Sequence, residues 1–451
     1  MIKTNTNYDV AVINYPLMAP SIKPEDYSSY MQLDYTSVDP WHVPIYIHIP
    51  FCSSICKFCV YSRQVPDSEK VLDDYVDALK REINLYAKTP YIQSLKMDAI
   101  FLGGGTPTTL SSSQLKDIIT ALKDYLPLKN PEITVECNIS NADEEKINSL
   151  YEAGVTRIST GVQTFSQERR DVLELRYTAE DIFKWIAMVR KYPFKDVSID
   201  LMYGLPGQTL KEWENDLQTA VTLPADHLSI YKLTVFAYVK LYKELESKKV
   251  PELPHEDQVF QMYMETDKIL KDNGFVVQSS QEYCRNENKS LFWDLTYDGY
   301  GDNLSFGAFS FGYVNGISYQ NLPNPKDYIA AAGEGKFPIK MVSHKITLEQ
   351  LWERTMMLSF RRSFIDKSVF YEQYGKQMED MFGDILTELT GKGYISDSGS
   401  GYELTPLGRY YQGNVSAKFM RSTFEKVSSL KKKMAIGMHV VPDALSDMKG
   451  I

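Results

Sequence analysis

With 451 residues, 43% of them hydrophobic, the chain is long enough for one large barrel domain and a smaller one. A net charge of −10 argues against nucleic acid as the main partner, because phosphate binding needs a basic surface. No run approaches the ~18 apolar residues of a membrane span, and the start at Met1 is no signal peptide, so the expected location is the cytoplasm.

The first 43 residues are aromatic and dotted with proline, which reads as an extended arm packed on the barrel domain. From Pro44 to about Gly204 short apolar runs alternate with amphipathic stretches. The strands are expected at Ile45–Ile49, Ala99–Leu102, Ile133–Cys137, Arg157–Gly161, Val197–Met202 and Leu228–Val235. Helices are expected at Val71–Tyr86, Gln114–Tyr125, Glu144–Glu152, Glu180–Lys191 and Leu210–Val221, with Thr178 and the run Ser111 to Ser113 where N-caps belong. Such alternation predicts an α/β fold, a partial βα barrel of six or seven units with its chemistry at the C-terminal strand ends. From about Thr347 the pattern changes. Leu351–Phe360 and Val369–Leu389 read as helices, and the segments at Tyr394 and Tyr402 flank a Ser-Gly-Ser-Gly hairpin. This predicts a small winged-helix-like module used as a lid or docking domain. The domains are then 1–43, 44–345, 346–420 and a tail at 421–451, whose cluster Lys431 to Lys433 reads as a solvated helix end.

The chemistry concentrates in Cys52, Cys56 and Cys59, three cysteines in eight residues directly after the first strand. A [4Fe–4S] cluster takes four thiolates, so this run leaves one iron open for a chelating ligand. S-adenosylmethionine fills such a position through its amino and carboxylate groups, and its reductive cleavage gives a 5′-deoxyadenosyl radical. Such a cluster implies a cell or growth condition with little oxygen. Zinc held with His48 is the competing reading, but structural zinc usually joins two separated ligand pairs, and Cys137 and Cys284 stand apart. Five cysteines are too few and too odd for a disulfide framework. Around the run, Tyr46 alternates with three isoleucines and should point into the barrel, and Phe58 can stack on an adenine. Gly103, Gly104 and Gly105, followed by Thr106, end the second strand and suit a close backbone approach to the methionine amino group. Glu136, Gln163 and Asp200 end further strands and suit hydrogen bonds to ribose, adenine or amino-acid groups.

Together these pieces resemble the radical S-adenosylmethionine superfamily, and more narrowly the oxygen-independent coproporphyrinogen III oxidase-like family. The matching stretches are Tyr46 to Cys59, Gly103 to Thr108, Glu136, Gly161 to Phe165, Ile199 to Pro206 and Leu404 to Arg409. The resemblance implies a (βα)6 TIM-like partial barrel with a C-terminal helical/winged domain, and two molecules of S-adenosylmethionine. Carried over by position, the first meets Tyr46, Phe58, Gly104 and Glu136. The second meets Gly105, Thr106, Gln163, Arg176, Asp200 and Thr234, with Arg169 or Arg170 as substitutes for Arg176. Tyr46, Gln163 and Asp200 are the catalytic positions on this basis. A flavodoxin- or ferredoxin-type electron donor is implied as well. The haem-chaperone branch carries a His-Asn-x-x-Tyr-Trp motif, whereas this chain reads Asn288 to Trp293 there, with no histidine between His255 and His344. Leu304 to Gly316 and Leu404 to Phe419 look most like the branch that degrades haem anaerobically, although Cys59-Val60-Tyr61 departs from its pattern. The expectation is therefore a class C-type methyltransferase: a methylene radical from the second S-adenosylmethionine adds to an sp2 carbon of a conjugated substrate (a tetrapyrrole, quinone or secondary metabolite), leading to methylation, ring opening or a cyclopropane. The rivals are the oxidase itself, whose tetra-anionic substrate needs a cationic pocket, and a non-catalytic haem-binding or trafficking protein.

Overall fold

The computed structural model describes residues 23–32, 42–61, 63–285 and 288–421. Most of the expected arm, nearly all of the tail and the lysine cluster at 431–433 lie outside those residues. Within the arm, Pro24–Met31 forms a 3₁₀ helix rather than an extended segment, because Tyr27 buries its ring against Tyr86 and Tyr319. Contacts divide the chain into two units: one runs to Thr296 and resumes at Tyr300–His344, and the other begins at Lys345 and includes Tyr297–Gly299.

The larger unit is built on one nine-stranded sheet. Its strands in chain order are β1 (His42–Ile49), β2 (Lys96–Gly104), β3 (Leu128–Cys137), β4 (Arg157–Gln163), β5 (Asp196–Tyr203), β6 (His227–Lys232), β7 (Phe275–Val277), β8 (Glu282–Arg285) and β9 (Leu304–Phe306). β1 to β6 run parallel in sequential order, as strand–helix alternation demands. All six expected strands and their helices are present, and the capping boxes at Ser111 and Thr178 start two of those helices. β9 pairs in parallel with β1, while β8 and β7 add antiparallel at the β6 edge, so the order is β7-β8-β6-β5-β4-β3-β2-β1-β9. The sheet is thus an open barrel with a different kind of strand on each edge. Ile45, Ile47 and Ile49 are fully buried on one face of β1, and Tyr46 and His48 share the other. A second small sheet follows, formed by β10 (Phe311–Val314), β11 (Ile317–Asn321) and β12 (Ile339–Val342). Its first turn, Asn315-Gly316, has both φ values positive, which explains the glycine there.

The second unit contains helix Leu348–Arg361, β13 (Phe364–Asp366), helices Lys367–Tyr374 and Met378–Gly391, β14 (Ile395–Asp397) and β15 (Gly401–Leu404). The single helix expected over Val369–Leu389 is two, because Gly375 adopts a left-handed φ of 62° and ends the first. β14 and β15 form the expected hairpin, and β13 joins on its far side. Phe360, Phe370, Phe382 and Phe419 anchor its core.

One buried carboxyl ties helix Glu69–Ala87 to the loop after β9. Glu82 accepts from Gly307 N at 2.9 Å, from Asn321 Nδ2 at 2.6 Å and from Tyr328 OH at 2.5 Å. Burial nevertheless pushes its carboxyl up to about 7 from an ordinary 4.5. The folded state therefore holds this proton where the unfolded chain has lost it. Its contribution is most favourable below about pH 4.5 and is lost as pH rises toward about 7. Denaturant titrations across that window should show the wild type losing up to ~3 kcal/mol relative to Glu82→Gln, at 1.36 kcal/mol per pKa unit. Parallel pH profiles for the two proteins would refute this role.

Candidate active site

β1 ends at Ile49, and the chain turns through Pro50 and Phe51 into the cysteine run. The turn is laced to the end of β2: Gly105 N donates to Ile49 O and Thr106 N to Phe51 O, both at 2.8 Å. The loop closes on itself where Cys52 N donates to Gln64 O at 3.0 Å and Gln64 N to Pro50 O at 2.8 Å. Cys52, Cys56 and Cys59 are half-buried free thiols. Burial pushes Cys52 up to about 11 and raises the other two, while the Arg63 guanidinium pulls all three back. Arg176 exerts the same pull on Cys56.

The donor set fits an iron–sulfur cluster with one iron left to a small chelate. Three thiols share one short loop, and Cys137 and Cys284 are buried apart from it. Beneath Cys52 the glycine run packs flush. A Cβ on Gly105 would fall 2.7 Å from Phe51 O and 3.0 Å from Cys52 Sγ. Cys52 Sγ also lies 3.5 Å from Thr106 Oγ1. Gly104 has a φ of 116°, which turns its N–H toward Glu136 Oε2 at 3.2 Å.

The expected strand-end residues converge as follows. Glu136 on β3 is pushed up to about 7 by burial, with the Gly104 N–H opposing the shift. Asp200 on β5 is raised well above the carboxylate range by burial, then by the neighbouring Glu136 and Glu282 carboxyls. Gln163 ends β4 with a φ of 70°, and its Oε1 accepts from Tyr231 OH at 2.6 Å. Tyr46 OH lies 3.0 Å from His48 Nδ1, and its ring stacks near Phe101. Phe58 packs among Leu173, Met202, Leu205 and Leu233. Thr234 is half-buried just past β6. Arg169 and Arg170, the alternatives to Arg176, are buried. Arg169 donates to Pro206 O, and Arg170 donates to Val162 O, Thr164 O and Tyr177 O. Arg176 is exposed, and its charge reaches Cys56.

Two further features had little or no sequence signal. Lys57, between the second and third cysteines, has a side chain only 5% exposed, with Nζ 2.8 Å from Glu244 and 3.2 Å from Glu174. It pins the loop from outside, on two carboxylates that Lys240 also pairs with. Trp293 and Phe292, from the short helix Leu291–Tyr297, lie against Phe101, giving an aromatic floor that includes Tyr46. Glu132 anchors that segment, accepting from Leu291 N at 2.9 Å. Only their sequence neighbourhood, Asn288 to Trp293, hinted at it.

Residues 46–220 match the radical SAM superfamily, and residues 346–411 match the HemN C-terminal domain. The chain is 34% identical over 379 residues to the heme chaperone HemW of Bacillus subtilis, covering 83% of this chain and 98% of that protein. It is 28% identical over 372 residues to the anaerobilin synthase of Escherichia coli O157:H7, covering 82% of each. The fold matches the structure of coproporphyrinogen III oxidase (HemN) from Escherichia coli with a TM-score of 0.77 at 22% identity, over 90% of this chain and 96% of that one. None of these three is named a methyltransferase, and the expectation of a class C methyltransferase is corrected accordingly. That expectation rested on residues for two S-adenosylmethionines, which the branches share, on the likeness of Leu304 to Gly316 and Leu404 to Phe419 to the haem-degrading branch, and on the lack of an evident cationic pocket. Among the described residues no helix is long and apolar enough to cross a membrane. A [4Fe–4S] cluster and S-adenosylmethionine, read from the cysteine run, are the cofactors. The chain belongs to the radical SAM superfamily, in its coproporphyrinogen oxidase-like family.

Proposed function

We propose that the protein is a radical enzyme that takes a hydrogen atom from a propionate side chain of a tetrapyrrole, the reaction type of an oxygen-independent coproporphyrinogen III oxidase. The observation that carries the reading is the pair Arg63 and Arg176. Arg63 stands on the cysteine loop itself, where it donates to Tyr61 O at 2.6 Å, and the charge of Arg176, just past β4, reaches Cys56. The chain is acidic overall, so a cationic pocket for propionates was not evident from composition. In this reading the two guanidiniums bind the propionates, since each can bind a carboxylate with two parallel hydrogen bonds. The rings of Tyr46 and Trp293 offer a flat macrocycle an apolar floor. The missing histidine near Asn288 sets the chain apart from the haem-binding motif of the chaperone branch.

When bound, the cluster and S-adenosylmethionine supply the hydrogen abstraction. The chain's own residues position and shield. The Gly103 to Thr106 backbone and Glu136 would hold the amino-acid end of the cofactor, Phe58 would cover its adenine, and Arg63 and Arg176 would position a propionate. The substrate would give up a hydrogen atom and carbon dioxide and pass one electron to an external one-electron acceptor, which leaves a vinyl group. Reducing equivalents for the cluster come, in this reading, from a flavodoxin- or ferredoxin-type protein.

The test is an anaerobic assay with coproporphyrinogen III and deuteromethyl S-adenosylmethionine. Carbon dioxide and unlabelled 5′-deoxyadenosine are expected, and Arg176→Gln should raise the KM for the porphyrinogen roughly tenfold, the loss of one charge-assisted contact. Deuterium in 5′-deoxyadenosine, or stoichiometric haem binding without turnover, would overturn the proposal.

A further inference from the structure

Gln163 holds an unfavourable backbone conformation at the place where β4 ends. Its φ is 70°, and Thr164 N donates back across it to Val162 O at 2.9 Å. A hydrogen bond that spans a single residue of positive φ is a γ-turn of the rare, strained kind. The register with β5 slips between Gly161 and Gln163, so the sheet ladder does not hold the turn. Strain of this sort persists only where the surroundings over-determine it.

Two buried charged side chains from different helices supply that constraint. Arg170, on helix Gln167–Leu173, is fully buried, and its Nη1 donates to Val162 O at 2.9 Å and to Thr164 O at 2.8 Å. One nitrogen with two hydrogens thus joins the two carbonyls that bracket Gln163. Arg170 Nε donates to Tyr177 O at 2.7 Å, and the guanidinium lies 4.5 Å from the centre of the Tyr177 ring. Tyr177 OH in turn donates to Gly161 O. Asp216, on helix Leu210–Thr222, holds the chain just beyond: it accepts from Thr164 Oγ1 at 2.7 Å and from Phe165 N at 2.8 Å.

The turn aims the side chain. Gln163 Oε1 accepts from Tyr231 OH at 2.6 Å, and Tyr231 lies within electrostatic reach of Asp200 and Cys59. The amide folds over Gly161, where a Cβ would fall 2.5 Å from Gln163 Nε2. An ordinary negative φ would rotate the Cα–Cβ bond by roughly 130° or more about N–Cα, away from Tyr231. We infer that Arg170, with Asp216, is a positioning residue that holds Gln163 in this turn and so sets where its amide meets the cofactor. The inference rests on the reading of Gln163 as a contact for S-adenosylmethionine, and it holds whatever the substrate is.

Thermal unfolding of the reconstituted holoprotein tests the strain. Gln163→Gly and Gln163→Ala both lack the amide, but only glycine adopts the turn freely. Gln163→Gly should melt above Gln163→Ala by at least ~2 °C, the reverse of the order at an ordinary strand position. Combined with Arg170→Met, which releases the turn, the two should return to the ordinary order. Glycine at or below alanine with Arg170 in place would overturn the inference without any change at Arg170. Glycine still above alanine in the Arg170→Met background would show that Arg170 does not hold the turn. Binding of S-adenosylmethionine tests the positioning. Gln163→Ala and Arg170→Met should each weaken it roughly fivefold, and the double variant no further. Additive losses would mean that Arg170 acts on something other than Gln163. Unchanged binding in Gln163→Ala would remove Gln163 from the cofactor site and overturn the positioning role, whereas the oxidase reading stands or falls on its own assay.

Discussion

Protein reconstituted anaerobically is expected to hold about four irons and four sulfides per chain, and none after alanine replaces Cys52, Cys56 and Cys59 together. These are the only thiols on the loop after β1, and each is half-buried beside the others. Iron and sulfide analysis, with the visible absorption of the reconstituted protein, reads the first effect. Formation of 5′-deoxyadenosine from S-adenosylmethionine reads the second, and it should fall to background. The fold should remain, because the loop is held by Cys52 N, Gln64 N and Lys57, none of which is a thiol. Radical formation in the triple variant would sink the assignment of the site altogether.

Nearly as large an effect is expected from a single methyl group. In Gly105→Ala the new Cβ would meet Phe51 O at 2.7 Å and Ile49 O at 3.0 Å, and both are backbone atoms that no rotamer change can move. Relief requires displacing the start of the cysteine loop, so cluster retention after gel filtration should fall at least roughly tenfold. Gly104→Ala adds a backbone problem, since its φ of 116° costs a side-chain-bearing residue ~1–3 kcal/mol, and its Cβ would run 2.7 Å from the His48 ring. Circular dichroism checks that the sheet survives in both. Full iron content in Gly105→Ala would show that the loop tolerates a shift and that the glycine run does not set its position.

The parts of this molecule with local signals were legible in its sequence. β1 to β6 have apolar runs of useful length between capped amphipathic helices, and the cysteine spacing states its chemistry outright. Three kinds of feature were not legible. β9 is only three residues long within a glycine-rich stretch, too short for periodicity to register. The break at Gly375 was hidden because the flanking helices continue each other's apolar pattern. Arg157, Asp196, His227 and Glu282 come from four different strands, and only sheet register makes them neighbours. The same holds for Arg176, whose charge reaches Cys56 because β1 and β4 run parallel in one sheet. For Arg176 against Arg169 and Arg170, sequence offset left the choice open, and burial of the latter two separates them.

The pairing of β1 with β9 has a consequence for synthesis. Ile45 must wait for Leu304, about 260 residues downstream, before that edge of the sheet is covered. At ~5–20 residues per second on the ribosome the interval is on the order of ten seconds to a minute. During it a strand rich in isoleucine presents unpaired backbone groups directly before three reactive thiols. Mispairing between nascent chains and premature oxidation would then begin at the same place. Yield of active protein should therefore depend on translation speed and on holdase chaperones acting before residue 304 emerges, more than on the stability of the finished fold.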